Sequence, residues 1–327
     1  MRAFVTRQLP EEALRIARSA CEIEVWPGEG PPQPGELGER LAGCEGMLCL
    51  LTDRVDEALL VQAPLLRVVS QMAVGFDNID VAACTRRGIA VGNTPGVLTE
   101  TTADLAFGLL LTTARRLGEA ERWLRSGQWT TWSPMQLTGP DVHHATLGIV
   151  GMGRIGYEMA RRAAGFEMRL LYHNRNRNEA AEKDFGARWL PLDDLLAQSD
   201  FVSLHTPLSP QTRHLIGREE LAKMKPTAIL INTARGAVVD QAALVHALKA
   251  GVIGAAGLDV FETEPLAADD PLLALDNVVL LPHIGSASIA TRTRMAVLAA
   301  ENLAVGMQGR PLPHPVNPEV TPAPRNA

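Results

Sequence analysis

The stretch that decides the fold is Ala145-Thr146-Leu147-Gly148-Ile149-Val150-Gly151-Met152-Gly153-Arg154-Ile155-Gly156. Its first half is apolar, includes β-branched residues and carries no charge, which predicts a strand buried on both faces. Residues 157–164 have helical composition, and a second apolar run follows at residues 168–172. The glycines therefore lie on a strand-to-helix turn inside a βαβ unit.

Each glycine of this turn has a purpose in such a unit. Gly151 allows a tight turn, Gly153 leaves room for a pyrophosphate, and Gly156 permits close packing of the helix on the strand. The amides at the helix start, including those of Arg154 and Ile155, would hold the phosphates. The turn thus predicts a dinucleotide site, and a glycine-rich turn without a ligand is the alternative.

Length and composition restrict the other classes of protein. The chain has 327 residues, which favours two domains, because single cores stop growing at about 250 residues. A net charge of −6 and a pI near 5.8 argue against broad binding of nucleic acid or anionic membrane. The early residues predict neither a signal peptide nor a transmembrane helix, and so a cytoplasmic location. The four cysteines lack metal-type spacing, and we expect no metal site.

The first hundred residues predict a small parallel α/β domain, because short apolar runs alternate with helical stretches. Val74-Gly75-Phe76-Asp77-Asn78-Ile79-Asp80 follows the run at residues 67–70 and places a glycine at the carboxyl end of a strand. Open α/β sheets bind ligands at such ends. A turn closed by Asp and Asn capping is an equally good interpretation of this spacing.

A helix and a tryptophan cluster precede the glycine turn. Residues 105–111 are apolar on nearly all sides, so their helix should be buried, at a domain crossing or a subunit interface. Trp123, Trp129 and Trp132 follow closely and favour a buried contact. Packing in the core is the alternative for these three side chains.

Beyond the glycine turn, four more apolar runs predict strands, at residues 201–205, 228–232, 257–260 and 278–281. Polar residues gather at the end of each run. Because the carboxyl ends of parallel strands meet at one edge of a sheet, these residues should line a rim beside the glycine turn. They are Thr206, Pro207, Thr233, Ala234, Arg235, Asp259 and His283.

Arg235, Glu264 and His283 give this rim catalytic potential. A histidine can give a proton to a carbonyl oxygen near neutral pH. Glu264, if hydrogen-bonded to His283, would favour the imidazolium, and Arg235 offers a planar fork for a substrate carboxylate. Taken singly, an arginine or a glutamate is more often a surface or capping residue.

Five motifs together resemble the D-isomer-specific 2-hydroxyacid dehydrogenase family, from near the N-terminus to about Pro318, and within it the glyoxylate and hydroxypyruvate reductases. The resemblance implies an α/β fold of two Rossmann-like domains with parallel sheets, one flavodoxin-like and one dinucleotide-binding. A discontinuous substrate-binding domain would comprise residues 1–98 and 288–327, ending in a Pro-rich tail from Pro311, and residues 99–287 would bind the dinucleotide. The motifs are Val74–Asp80, Gly151–Gly156, Asn232-Thr233-Ala234-Arg235-Gly236, Gly257-Leu258-Asp259-Val260-Phe261-Glu262-Thr263-Glu264-Pro265 and Pro282-His283-Ile284-Gly285-Ser286.

The family implies a role for each residue of the triad. Arg235 would bind and polarise a 2-oxo acid, His283 would donate the proton, and Glu264 would support His283.

The resemblance also implies binding residues outside the triad. The backbone amides of Val74 and Gly75 would receive the substrate carboxylate, Ser286 would lie close to the substrate, and Gly285 would contact the cofactor.

Gly127-Gln128-Trp129-Thr130-Thr131-Trp132 is similar to a segment typical of the glyoxylate/hydroxypyruvate branch. In that branch the second tryptophan crosses a dimer interface to the neighbouring active site. The similarity implies a homodimer, with Trp132 as a determinant of substrate size. Phosphite dehydrogenases carry a lysine where this chain has Val74, so phosphite is not the expected substrate.

The residues after the second strand of the βαβ unit bear on the choice of cofactor. An NAD enzyme places an acidic residue about 20 residues beyond the glycine turn. This chain has His173-Asn174-Arg175-Asn176-Arg177 there, with no carboxylate until Glu179. Asn174, Arg175 and Arg177 therefore predict NADPH in preference to NADH, and a solvated loop is the alternative.

Taken together, the sequence predicts an NADPH-preferring reductase of small 2-oxo acids, glyoxylate and hydroxypyruvate first, with His283 as the general acid. A reductase of a larger 2-oxo acid, such as 2-oxogluconate, is one alternative. The other is a dinucleotide-sensing binding protein, because some relatives of this family act as transcriptional corepressors.

Overall fold

A computed structural model describes residues 1–323 of the chain. Two compact units are present: residues 1–98 with the segment from Ala287 onward, and residues 99–286. Among the described helices, none combines the length and the apolar composition needed to cross a bilayer. Each unit contains one parallel sheet, which confirms the predicted α/β fold with two parallel-sheet domains.

The first unit is a five-stranded parallel sheet with the order β2-β1-β3-β4-β5. Strands β3, β4 and β5 are buried along their whole length, as expected for parallel strands covered by helices. The strands are β1 (Arg2–Val5), β2 (Glu22–Val25), β3 (Gly46–Cys49), β4 (Val68–Gln71) and β5 (Ala90–Gly92). The helices are α1 (Glu11–Arg18), α2 (Pro34–Leu41), α3 (Glu57–Gln62), α4 (Val81–Arg86) and the C-terminal α12 (Ile289–Met307).

The Pro-rich segment after α12 pairs with the sheet of the first unit. The Val316 amide donates to Val91 O at 2.7 Å, and the Asn317 side chain accepts from Val91 N at 2.7 Å. Asn317 is 2% exposed, and it also donates to Ile89 O at 3.0 Å. Prolines are compatible with pairing at a sheet edge, because an edge strand needs only some of its amides. The segment therefore covers the β5 edge of the first unit.

The second unit is a seven-stranded parallel sheet with the order β12-β11-β10-β9-β6-β7-β8. The strand order reverses between β6 and β9, and such switch points are where open α/β sheets bind ligands. The strands are β6 (Thr146–Val150), β7 (Arg169–His173), β8 (Arg188–Trp189), β9 (Phe201–Leu204), β10 (Ile229–Asn232), β11 (Ala255–Leu258) and β12 (Val278–Leu280). The helices are α5 (Thr99–Ala114), α6 (Leu117–Arg125), α7 (Arg154–Ala164), α8 (Glu179–Phe185), α9 (Leu192–Gln198), α10 (Arg218–Lys223) and α11 (Gln241–Lys249), with short 3₁₀ turns at Gly236–Val238 and Pro271–Ala274.

Helix α5 buries one face in the core of the second unit. Phe107, Leu109 and Leu110 belong to the core formed with β6, β7 and α7. A Cβ on Gly257 of β11 would lie 2.8 Å from Leu109 Cγ, so the helix packs closely on the sheet. Packing within its own unit therefore accounts for the buried face of α5, whereas Leu105 and Leu111 remain partly exposed.

Two side chains of the tryptophan cluster, unlike the core residues of α5, are exposed. Trp129 is 53% exposed and Trp132 is 74% exposed. Core packing, the alternative considered for the cluster, is therefore wrong for these two side chains.

Candidate active site

The carboxyl edge of the seven-stranded sheet carries most of the candidate site. Val150 pairs with Leu204, Leu204 with Asn232, Asn232 with Leu258, and Leu258 with Leu280, so five strands end together. Residues that follow these strands consequently emerge at one edge. They are Gly151, Thr206, Pro207, Thr233, Ala234, Arg235, Asp259 and His283.

The three glycines of the turn are required for different reasons. Gly151 has a φ of +100°, and a Cβ there would lie 2.7 Å from His205 C. A Cβ on Gly156 would lie 2.3 Å from Gly151 O, so only glycine lets α7 approach the turn. By contrast, apart from its two neighbours in the chain, no residue among 1–323 has an atom within 4 Å of a Cβ on Gly153. Since the protein itself does not demand glycine at this position, the open space beside the start of α7 favours a ligand there.

Three buried polar atoms at this edge lack a hydrogen-bond partner within residues 1–323, namely Thr206 Oγ1, Thr233 Oγ1 and Asp259 Oδ2. Buried polar groups are nearly always paired, so these atoms indicate a ligand that offers both donors and acceptors. The other oxygen of Asp259 accepts from the Ile284 amide at 2.7 Å. Burial raises the pKa of Asp259 above its ordinary value, although the Ile284 amide and the charge of His283 act in the opposite direction. Together with the space at Gly153, this donor and acceptor set fits a nicotinamide dinucleotide.

His283 and Glu264 form a direct pair at the end of β12. His283 Nδ1 lies 2.7 Å from Glu264 Oε2, and Glu264 Oε1 accepts from the Phe261 amide at 3.0 Å. Because a carboxylate only accepts, Nδ1 carries the hydrogen, and Nε2 is left for a further partner. His283 has a φ of +53°, a conformation held by its amide, which donates to Asp259 O at 2.9 Å.

The surroundings of Glu264 keep it ionised. Burial alone raises the pKa of this carboxyl. The hydrogen bond and charge of His283, the Phe261 amide and the charge of Arg235 outweigh burial and lower the pKa below its ordinary value. Glu264 is therefore a carboxylate at neutral pH and accepts the hydrogen on His283 Nδ1. The structure thus joins two of the three predicted catalytic side chains directly, and the third acts on Glu264 through its charge.

The loop that carries Arg235 is fixed by two residues to which the sequence analysis gave no role. Buried Asn232 donates from Nδ2 to Arg235 O at 2.9 Å and accepts from the Ala234 amide at 3.0 Å. A Cβ on Gly236 would lie 1.8 Å from the carbonyl carbon of Phe261, two residues beyond Asp259. Gly236 therefore sets the spacing between the Arg235 loop and the loop of Glu264. A glycine directly after a candidate arginine is the sequence signal for this contact.

The two arginines of the cofactor loop differ in their surroundings. Arg177 Nε and Nη2 lie 2.9 and 2.8 Å from the Glu182 carboxylate, which also accepts from Tyr172 Oη at 2.5 Å. This pairing compensates the charge of Arg177, so it is less available for a phosphate than the sequence suggested. Arg175 is exposed, and no ion pair of this side chain is seen within the described chain. Asn174 donates to Asn176 O at 3.1 Å.

The remaining predicted residues are divided between the two units. Val74 and Gly75 belong to the first unit, in the loop after β4. Ser286 is the last residue of the second unit, and a Cβ on Gly285 would lie 3.3 Å from Asp259 Oδ2. Trp132 lies in the segment after α6 and is mostly exposed.

Comparisons with known proteins show the family of the chain. A family model described as D-isomer specific 2-hydroxyacid dehydrogenase, NAD binding domain, matches residues 107–285. The chain belongs to the D-isomer-specific 2-hydroxyacid dehydrogenase family. It is 55% identical over 320 residues to a glyoxylate reductase of Korarchaeum cryptofilum, covering 98% of this chain and 96% of the relative. The family resemblance inferred from the motifs is confirmed, and the chain is an enzyme of this family.

Two solved structures are similar to this chain over nearly its whole length. A Thermus thermophilus protein is 48% identical, covers 97% of this chain and 100% of its own, and superposes with a TM-score of 0.90. An NADPH-dependent glyoxylate/hydroxypyruvate reductase of Sinorhizobium meliloti, in complex with NADP and malonate, is 34% identical with a TM-score of 0.85. That match covers 100% of this chain and 99% of the relative.

Proposed function

We propose that this enzyme reduces small 2-oxo acids, glyoxylate and hydroxypyruvate first, with NADPH preferred over NADH. The observation that carries the proposal is the His283–Glu264 pair, 2.7 Å apart, at a sheet edge that also presents Arg235. Relatives 55% and 52% identical to this chain are glyoxylate reductases, which supports glyoxylate as a substrate.

The chemistry follows from the side chains. Arg235 binds the 2-oxo acid through its guanidinium and polarises the carbonyl. His283 donates the Nε2 proton to the carbonyl oxygen as negative charge develops there. Glu264, ionised and bonded to Nδ1, holds the ring in the orientation that leaves Nε2 for the substrate. When bound, NADPH supplies the hydride that reduces the carbonyl carbon. One 2-oxo acid, one hydride and one proton give one 2-hydroxy acid.

The NADPH preference rests on the loop after β7. Arg175 is exposed and has its charge available, and no carboxylate appears between the end of β7 and Glu179. An NAD enzyme would place an acid at this strand end, where it would repel a 2′-phosphate. The NADPH-dependent Sinorhizobium meliloti relative gives further support.

A substrate panel tests the proposal. Initial rates of nicotinamide oxidation would be measured with glyoxylate, hydroxypyruvate and 2-oxogluconate, each with NADPH and with NADH. We expect kcat/KM to be highest for the two small acids, and about tenfold or more higher with NADPH. Equal use of NADH would contradict the cofactor preference, and faster turnover of 2-oxogluconate would contradict the substrate size. Tight NADPH binding without turnover of any acid would favour the dinucleotide sensor.

We further propose that the enzyme is a homodimer. Five large apolar side chains, from the start of α6 to residue 135, are more than half exposed in the single chain. Exposed apolar groups in this density mark protein interfaces. Trp132 would reach the neighbouring active site and limit substrate size. The five are Leu117, Leu124, Trp129, Trp132 and Met135.

Light scattering on the purified protein at micromolar concentration tests the dimer. We expect twice the chain mass of 35.2 kDa. Leu124→Glu should shift the mass towards the monomer, because it places a charge among these apolar side chains. Val61→Glu is the matched control, since Val61 is 63% exposed in the first unit. A monomeric wild type, or dissociation by both variants alike, would refute this interface.

A further inference from the structure

In the loop after β4 of the first unit, three successive carbonyl groups accept hydrogen bonds. Ala73 O accepts from the Thr94 amide at 2.9 Å. Val74 O accepts from Asn93 Nδ2 at 2.8 Å. Gly75 O accepts from Gln71 Nε2 at 3.3 Å. Three successive peptide groups are therefore held by groups of β4 and of the segment after β5.

These hydrogen bonds determine where the amides of the loop point. A trans peptide is planar, and its C=O and the following N–H point in opposite directions. The contact at Ala73 O thus aims the Val74 N–H, and the contact of Asn93 at Val74 O aims the Gly75 N–H. In the described part of the chain, neither of these two amides donates a hydrogen bond. They are the amides for which the family resemblance implies binding of the substrate carboxylate.

Asn93 is in turn anchored by the C-terminal helix. Asn302 of α12 is fully buried, and its Nδ2 donates to Asn93 O at 2.9 Å. The Asn302 Oδ1 accepts from the His314 amide at 3.0 Å, and the Asn93 amide donates to His314 O at 3.1 Å. A Cβ on Gly92 would lie 2.9 Å from Asn302 Cγ, so the neighbouring backbone fits closely around this side chain. The main chain of Asn93 is thus fixed from two sides.

We propose that Asn93 is a positioning residue for substrate binding, and that Asn302 anchors it. The Asn93 side chain aims the Gly75 N–H at the substrate carboxylate by holding Val74 O from the opposite side of the peptide plane. The inference rests on the proposed function only in taking a 2-oxo acid as the ligand of these amides. A hydrogen bond to a charged group is among the stronger ones. If the Gly75 N–H no longer points at the carboxylate, carboxylate binding should weaken about tenfold.

The test compares the KM for glyoxylate with the KM for NADPH, which distinguishes a role in orienting the amide from a role in stability alone. In Asn93→Ala we expect the KM for glyoxylate to rise about tenfold, with the KM for NADPH unchanged and kcat altered less than threefold. A residue with only a structural role would lower the melting temperature without selecting one substrate. Asn277→Ala is the matched control, because Asn277 also donates from Nδ2 to backbone carbonyls, at 3.3 Å to Leu248 O and 3.1 Å to Gly254 O. It should leave both Michaelis constants unchanged.

Asn93→Asp keeps the shape of the side chain but cannot donate to Val74 O. Asn93→Asp serves as the second variant if Asn93→Ala does not fold. The rise in the KM for glyoxylate should persist at high salt, because salt screens the added charge but does not restore the lost donor. Calorimetric titration with oxamate, which cannot be reduced, reports carboxylate binding without turnover. Weaker oxamate binding in the Asn93 variants than in wild type supports the inference even if no 2-oxo acid is turned over. Unchanged oxamate binding and an unchanged KM for glyoxylate would overturn it, whatever the fate of the proposed function.

Discussion

The carboxyl edges of the two parallel sheets present different kinds of functional group. In the second unit the edge offers side chains: the His283–Glu264 pair, and buried oxygens of Thr206 and Asp259 without partners in residues 1–323. In the first unit the side chains near Gly75 are used internally to hold carbonyls, and backbone amides are left for a ligand. We therefore infer that one architecture supplies catalytic side chains in one unit and N–H donors for a ligand in the other.

The difference follows from what each task requires. Proton transfer needs a group that titrates, and only a side chain provides one. Binding a carboxylate needs only N–H donors pointing in the right direction, and a peptide group provides these whatever its side chain. We therefore expect the second unit to be sensitive at the reacting residues themselves. In the first unit, substitutions should impair substrate binding most at the residues that orient the backbone amides, such as Asn93.

The largest effect is expected at His283. His283→Ala removes the proton donor and should lower kcat/KM for glyoxylate by about 100-fold or more, the usual scale for a lost general acid. Steady-state rates measure this effect, and fluorescence titration shows whether NADPH still binds. His143→Ala is the matched control, because His143 is an exposed histidine of the same unit, 3.7 Å from Asp141. Near-normal turnover in His283→Ala, or an equal loss in the control, would remove His283 from the mechanism.

The same contrast explains how much could be predicted from the sequence. The glycine turn specified its strand, its helix and the parallel sheet, because Gly151 and Gly156 each meet a steric demand that only glycine satisfies. The residues at the strand ends of the second unit could also be named, because the residue type itself gives the chemistry of the side chain. The relation between Asn93 and Gly75 could not, because the direction of a peptide plane depends on contacts between segments distant in the chain.

Other differences have similar causes. The all-round apolar pattern of α5 is compatible with burial in one's own core or against a partner, and the pattern does not distinguish the two. The segment after Pro311 has the composition of a tail, yet Asn317 pairs with the backbone of β5, which no local pattern reveals. The ion pair of Arg177 with Glu182 depends on the rotamers of two long side chains, and the sequence alone showed only two arginines.

That ion pair gives the smaller and sharper prediction, at the cofactor loop. Arg175→Asp removes an available positive charge and adds a negative one, so the KM for NADPH should rise about tenfold while the KM for NADH stays similar or falls. The effect should shrink as salt rises, because exposed charges are screened over about 8 to 10 Å at ordinary ionic strength. Arg177→Ala is the matched comparison: Glu182 already compensates this arginine, so its loss should change the NADPH KM by less than about threefold. If Arg177→Ala had the larger effect, the ion pair with Glu182 would have to open when NADPH binds, and the difference between the two arginines drawn from the structure would be wrong. If neither variant moved the preference, the choice of cofactor would be made outside this loop.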